Sequence, residues 1–194
     1  MRRRGEGKLR VIGGQWRSRV IEFDAASGVR PTPDRVRQTL FDWLAPRIDG
    51  ARCLDLFAGS GALGIEALSR GAASCCFVEE GHRQANAIRT MLTLLKAQHA
   101  EVMELDALYY LAQTWHRFDV VFLDPPYGKG LLERVLPELP KALAPHNRIY
   151  LEWPPGKMPA LPERFELLRE KKAGQVCSGL ATYHHPAEKS GGRA

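Results

Sequence analysis

The sequence predicts an α/β fold: a seven-stranded, mostly parallel sheet with helices on both faces, ended by an antiparallel hairpin and preceded by a small β-hairpin arm. Three observations carry that prediction. From Ala51 onward, short apolar runs alternate with segments of helical period, the order that lays strands parallel and returns through a helix each time. Several of these runs end in a carboxylate or lead into glycines, as strands do where a sheet meets its ligand rim. The last two runs are separated by Ala173-Gly174-Gln175 alone, too short for a crossover, so they pair antiparallel.

Taken in order, Leu9 to Ile12 and Arg19 to Phe23 read as short strands, with Gly13-Gly14 supplying turn chemistry between them. Pro33 and Asp34 then open a helix. Val36, Leu40, Phe41 and Leu44 recur at its period, and it ends near Ala45-Pro46. The sheet strands are Arg52 to Phe57, Ser74 to Val78, Glu101 to Leu105, Phe118 to Leu123 and Arg148 to Glu152. The helices are Ala62 to Arg70, His82 to Gln98, Ala107 to Thr114 and Leu131 to Leu143, the last interrupted at Pro137 and Pro140. The terminal hairpin is Phe165 to Lys172 with Val176 to His184. These elements divide the chain into a basic arm (1–30), an α/β domain (31–186) and a polar, fraying tail (187–194).

Composition narrows the class. A chain of 194 residues suits one domain with a full core. No apolar run approaches the ~20 residues of a membrane span, and the charged start precedes no apolar segment, so a cytoplasmic protein is expected. Cys53, Cys75, Cys76 and Cys177 lack metal or redox spacing and read as reduced core thiols. The six histidines form no ligand set. Charge is concentrated: Met1 to Arg37 holds ten basic and four acidic residues, which accounts for the whole formal charge of +6. Because Val11, Ile12, Trp16, Val20 and Ile21 interleave with the arginines, this is an ordered basic segment, and it points to a polyanion such as nucleic acid.

Two motifs carry chemistry. In "CLDLFAGSGALGIEAL" a strand ending at Asp55-Leu56-Phe57 turns through Gly59-Ser60-Gly61 into a helix, with Gly64 in its first turn. Glycines allow a tight turn and close approach of a ligand, or merely close packing of helix on strand. Glu79 ends the next strand, where a carboxylate can accept ribose hydroxyls, and Asp106 ends the third, where it could equally cap the following helix. In "VVFLDPPYGKG" the strand runs into Asp124, after which Pro125 and Pro126 stiffen the backbone and present Tyr127. Gly59, Glu79, Asp106 and Asp124 thus fall on one rim.

Asp55 to Gly61 together with Asp124 to Tyr127 resembles a class I S-adenosylmethionine-dependent methyltransferase of the amino-group type. The arm "LRVIGGQWRSRVIEF" and "GVRPTPDRVRQTLFDWL" resemble, more narrowly, the bacterial 16S rRNA guanine-N2 methyltransferase family of the RsmD type, from Leu9 to about His184. The resemblance implies a Rossmann-like seven-stranded methyltransferase sheet and transfer of methyl from S-adenosyl-L-methionine, leaving S-adenosyl-L-homocysteine, with no metal. Phe57, Gly59 and Gly61 would border the methionine part of the cofactor. Asp55 would steady the glycine loop and the amino end, Glu79 would bind ribose, and Asp106 with Ala107 would hold adenine. Asp124, Pro125 and Tyr127 would form the catalytic loop. Arg10, Arg17, Arg19, Arg30, Thr32, Arg35 and Tyr127 would contact RNA, with the 16S rRNA in a 30S subunit as partner and the protein a monomer. Rival readings are a DNA adenine or protein glutamine methyltransferase, a nicotinamide oxidoreductase, which has no use for Asp124 to Tyr127, and a non-catalytic RNA-binding module.

Overall fold

The computed structural model describes residues 6–24 and 33–186. Nine strands and five α-helices follow the anticipated order. They are β1 (Glu6–Arg10), β2 (Val20–Asp24), α1 (Asp34–Ile48), β3 (Arg52–Asp55), α2 (Ala62–Ser69), β4 (Ser74–Val78), α3 (His82–Leu95), β5 (Ala100–Met103), α4 (Ala107–Gln113), β6 (Phe118–Leu123), α5 (Leu131–Val135), β7 (Leu143–Trp153), β8 (Phe165–Ala173) and β9 (Val176–Tyr183). The main sheet has the order β5-β4-β3-β6-β7-β9-β8, with β9 antiparallel to both neighbours. From β3 the chain winds outward to β4 and β5, then returns to place β6 on the other side of β3. That reversal opens a crevice at the carboxyl ends of β3 and β6, where ligands of such sheets bind.

Both faces of the sheet are covered, and strict alternation along the strands shows why. Cys53, Val120 and Phe122 pack on one face with Phe41 and Leu44 of α1, Leu63 of α2 and Ile88 of α3. Leu54, Val121 and Leu123 pack on the other with Leu111 of α4, Val135 of α5 and Leu139. Central strands buried on two sides therefore read as continuous apolar runs. All four cysteines are buried, as free thiols, in this packing.

The boundaries shift where packing overrides local signals. The arm strands lie a few residues from their expected bounds, but they pair antiparallel as anticipated, from Glu6↔Asp24 to Arg10↔Val20. Helix α1 continues through Pro46 to Ile48, because a proline this near a helix end costs little and Ile48 is buried. Helix α3 stops at Leu95, where Lys96 takes a left-handed conformation. Strands β3 and β5 are shorter than expected, ending at Asp55 and Met103. The expected helix Leu131 to Leu143 is a short α5 followed by a 3-10 segment over Leu136–Ala142, since Pro137 and Pro140 lack the N–H groups an α-helix needs. Strand β7 begins at Leu143, five residues early, and crosses Pro145 at a register shift between Phe118 and Val120 of β6.

The arm is fastened by a carboxylate inside an apolar helix. Glu66 of α2 is fully buried. Its Oε2 accepts the N–H of Ile12 at 2.8 Å, and its Oε1 accepts those of Gly13 (2.8 Å) and Arg70 Nε (2.7 Å). Arg37, 1% exposed, completes the network through an ion pair with Glu66 at 3.6 Å and a hydrogen bond to the Arg10 carbonyl at 2.8 Å. The N–H of Trp16 donates to Ser69 Oγ, which in turn donates to the Gly13 carbonyl. Arg37, counted from sequence in the basic segment, is buried and braces the arm from inside.

Candidate active site

The glycine turn after β3 is built by its own backbone. Gly59 and Gly61 have φ of +51° and +73°, the left-handed region that side chains resist, and the Gly61 N–H closes the turn onto the Ala58 carbonyl at 2.6 Å. Gly64 serves a different need. A Cβ there would sit 2.3 Å from the Phe77 ring, so this glycine exists for the approach of α2 to β4. Asp55 ties the two parts together, its Oδ2 accepting the Gly64 N–H at 3.0 Å from a side chain only 2% exposed. Burial pushes its carboxyl up from 3.8 to about 7; the Gly64 N–H opposes the rise, and the charges of Asp124 and Glu79 add to it.

Glu79, just beyond β4, spans the turn. Its Oε2 accepts the Gly59 N–H and its Oε1 the Gly81 N–H, each at 2.8 Å. Every carboxylate oxygen has a second lone pair, so both remain able to accept ribose hydroxyls. Asp106 caps α4, its Oδ1 accepting the Tyr109 N–H at 2.9 Å, with Ala107 buried behind it. Of the two roles weighed for Asp106, the cap is realised, and it leaves Oδ2 outside the cap. Phe57 is half-buried against the core of the second face.

Across the crevice, Asp124 follows Leu123 at the end of β6 and is half-buried; Pro125 is buried and Tyr127 is 45% exposed. Positive φ at Gly128 (+86°) and Gly130 (+59°) turns the loop back into α5. Burial, and then the fields of Glu152 and Asp124, hold the Tyr127 hydroxyl above its ordinary pKa, so the ring serves as a neutral surface and not as a base. Glu152 went unnoticed in the sequence. It is 3% exposed near the end of β7, and its Oε1 accepts the Tyr150 hydroxyl at 2.7 Å. Its signal was a lone carboxylate closing the apolar run "RIYLE". Glu66 left a similar mark in "ALGIEALS".

The structure brings Asp55, Gly59, Gly61, Glu79, Asp106, Asp124 and Tyr127 to the carboxyl rim of adjacent strands. The basic candidates are dispersed. Arg17 and Arg19 are exposed in the arm turn held beside Ser69, at the end of α2 away from the rim, about 12 Å along an eight-residue helix. Arg10 is exposed on β1, and Arg35 is exposed on the first turn of α1. Arg30 and Thr32 lie outside the described residues. Among the described residues, no group of three or more His, Cys, Asp or Glu could hold a metal ion, and no helix is long and apolar enough to cross a membrane. The donor set is one of carboxylates and backbone amides around a left-handed glycine turn. It fits a cationic, ribose-bearing cofactor such as S-adenosylmethionine.

Comparison with known proteins agrees with this geometry. Residues 9–182 match the family model described as conserved hypothetical protein 95. The chain is 46% identical over 179 residues to ribosomal RNA small subunit methyltransferase D of Escherichia coli K12, covering 91% of this chain and 90% of that one. It is 43% identical over 177 residues to the protein of the same name from Haemophilus influenzae, covering 88% and 92%. The solved structure of Escherichia coli yhhF superposes with a TM-score of 0.84 at 43% identity, over 93% of this chain and all of that one. A ribosomal protein L11 methylase from Lactobacillus delbrueckii shares the fold at 15% identity, with a TM-score of 0.63 over 78% of each chain.

Proposed function

The chain belongs to the conserved hypothetical protein 95 family and is a methyltransferase, and from that premise we propose that it methylates the exocyclic N2 of a guanine in 16S rRNA. The observation that carries this reading is the Asp124-Pro125-Pro126-Tyr127 loop, held at the end of β6 across the crevice from the glycine turn. The names of the relatives support rRNA of the small subunit as the substrate class. In this reading the protein acts in the cytoplasm, as a monomer, on the assembled or partly assembled 30S subunit.

Guanine N2 is a poor nucleophile because its lone pair is delocalised into the base. The Asp124 carboxylate and the Pro125 carbonyl accept its two N–H bonds, which draws the lone pair out of conjugation and aims it toward the glycine turn. Tyr127 stacks on the base once it leaves its neighbours. When bound, S-adenosylmethionine supplies a methyl group on a sulfonium and departs as S-adenosylhomocysteine. With the methyl group transferred to N2, Asp124 or water would take the N2 proton. Asp55, Phe57, Gly59 and Gly61 would hold the methionine end, Glu79 the ribose, and Asp106 with the Ala107 backbone the adenine edge. The clustered carboxylates favour a cationic cofactor over its neutral-sulfur product.

The test is transfer of labelled methyl to 30S subunits lacking the modification, with naked 16S rRNA, DNA and bulk protein offered in parallel. Label in the ribosomal RNA alone is the expected result. Preferential labelling of DNA or protein would overturn the substrate while leaving the methyltransferase assignment in place.

A further inference from the structure

A cavity of about 400 Å³ lies between the first half of α1 and the terminal hairpin, lined among others by Arg35, Thr39, Lys171, Lys172, Gly174 and Ser178. It sits on a continuous row of paired strands that leads to the reacting carboxylate. Leu123 of β6 is opposite Leu151 of β7, so Asp124 falls level with Glu152. Glu152 pairs with Ser178 of β9, and Ser178 pairs with Lys171 of β8. Three strand steps of about 4.8 Å put the Lys171 backbone about 14 Å from that of Asp124.

The lining is one-signed. Arg35, Lys171 and Lys172 are cationic, and no acidic side chain is among the described residues that line it. Lys171 does not simply trail into solvent: its Nζ donates to Thr39 Oγ1 of α1 at 3.0 Å, which fixes the ammonium across the mouth of the cavity with two further donors to give. Lysines on an edge strand also deter edge-to-edge pairing of sheets. That role needs neither a cavity nor a partner on α1, and it does not explain the hydrogen bond from Lys171 to Thr39 beside Arg35.

We propose that this cleft binds the RNA backbone: Arg35 and Lys171 hold phosphates of nucleotides flanking the guanine at Asp124. The inference rests on the RNA reading above and adds the terminal hairpin to the substrate surface. It also gives the arm and the hairpin separate duties, since Arg17 and Arg19 lie beside the far end of α2.

The experiment measures binding of 30S subunits lacking the modification to the full chain across a range of KCl concentrations, comparing wild type with the double variant Arg35→Gln and Lys171→Gln. S-adenosylmethionine titration and thermal melting report folding. The expected result is an affinity loss of about tenfold or more at moderate salt, with the log–log salt slope shallower by about two, and unchanged cofactor affinity. Identical affinity and slope in a folded double variant would overturn the cleft. If the double variant melts early, Lys171→Glu alone, at an exposed position, must still weaken binding, and equal binding there would likewise overturn the inference. A wild type without salt-dependent RNA binding would instead sink the RNA reading itself, so the two failures are distinguishable.

Discussion

At the scale of single residues, two buried or half-buried carboxylates divide the work. In the proposed function Asp124, just past the end of β6, holds the nucleophilic nitrogen, and Asp55 stands under the glycine turn. Replacing Asp124 with Asn keeps the shape but substitutes an amide for one acceptor and removes the charge that follows the transferred proton. Single-turnover methyl transfer should fall about 100-fold or more, with cofactor affinity within a few-fold of wild type. For Asp55 the prediction concerns pH. Its carboxyl rises from 3.8 in the unfolded chain to about 7 when folded, so between those values the folded chain holds the extra proton. The associated stability is fully present below the lower value and is lost as pH rises through about 7. A cationic cofactor favours the ionised form, so its affinity should increase from pH 6 to pH 8 with proton uptake by buffer. Asp55→Asn should flatten both the melting curve and the affinity across that interval, as calorimetry in two buffers would show. Tyr127→Ala removes a stacking surface worth about 1–3 kcal/mol and should raise the KM for RNA accordingly. An unchanged KM would remove Tyr127 from substrate binding.

At the scale of elements, α2 couples the cofactor turn to the arm. Its first turn packs so closely on β4 that Gly64→Ala would drive a methyl group into Phe77, an overpacking cost of about 1–3 kcal/mol measurable by denaturant unfolding. Two residues later Glu66 receives the backbone of Ile12 and Gly13 and pairs with Arg37. Glu66→Ala would leave the backbone N–H groups of Ile12 and Gly13 without their acceptor and remove one of the partners of Arg37, which keeps Asp34 and the Arg10 carbonyl, with an expected loss of about 2–6 kcal/mol. A mere surface arm would cost almost nothing when so untethered. The sequence made the strand–turn–helix visible because glycine spacing and apolar runs are local signals. It hid the brace, because a carboxylate in an apolar helix announces burial but not its partners, which here come from more than 50 residues away in sequence.

At the scale of the whole molecule, what was legible follows the range of the interactions. The alternation of strands and helices, the antiparallel ending and the rim of carboxylates all come from short patterns repeated along the chain, and the structure assembles them as expected. Boundaries moved where tertiary packing outweighed local preference, as at Ile48 beyond Pro46 and at Leu143 before Pro145. Charge was legible in amount but not in place: Arg37 lies inside, Arg17 and Arg19 sit at the end of α2 away from the rim, and Lys171 joins Arg35 on a cleft that no single segment displays. The central claim is that the loop from Asp124 to Tyr127 performs methyl transfer to guanine N2. Its most direct test is nucleoside analysis of 16S rRNA after incubation of undermethylated 30S subunits with S-adenosylmethionine and either wild type or Asp124→Asn. The account predicts N2-methylguanosine from the wild type and a rate lower by about 100-fold or more from a folded, cofactor-binding variant. A different methylated nucleoside, or equal rates from the two proteins, would contradict it.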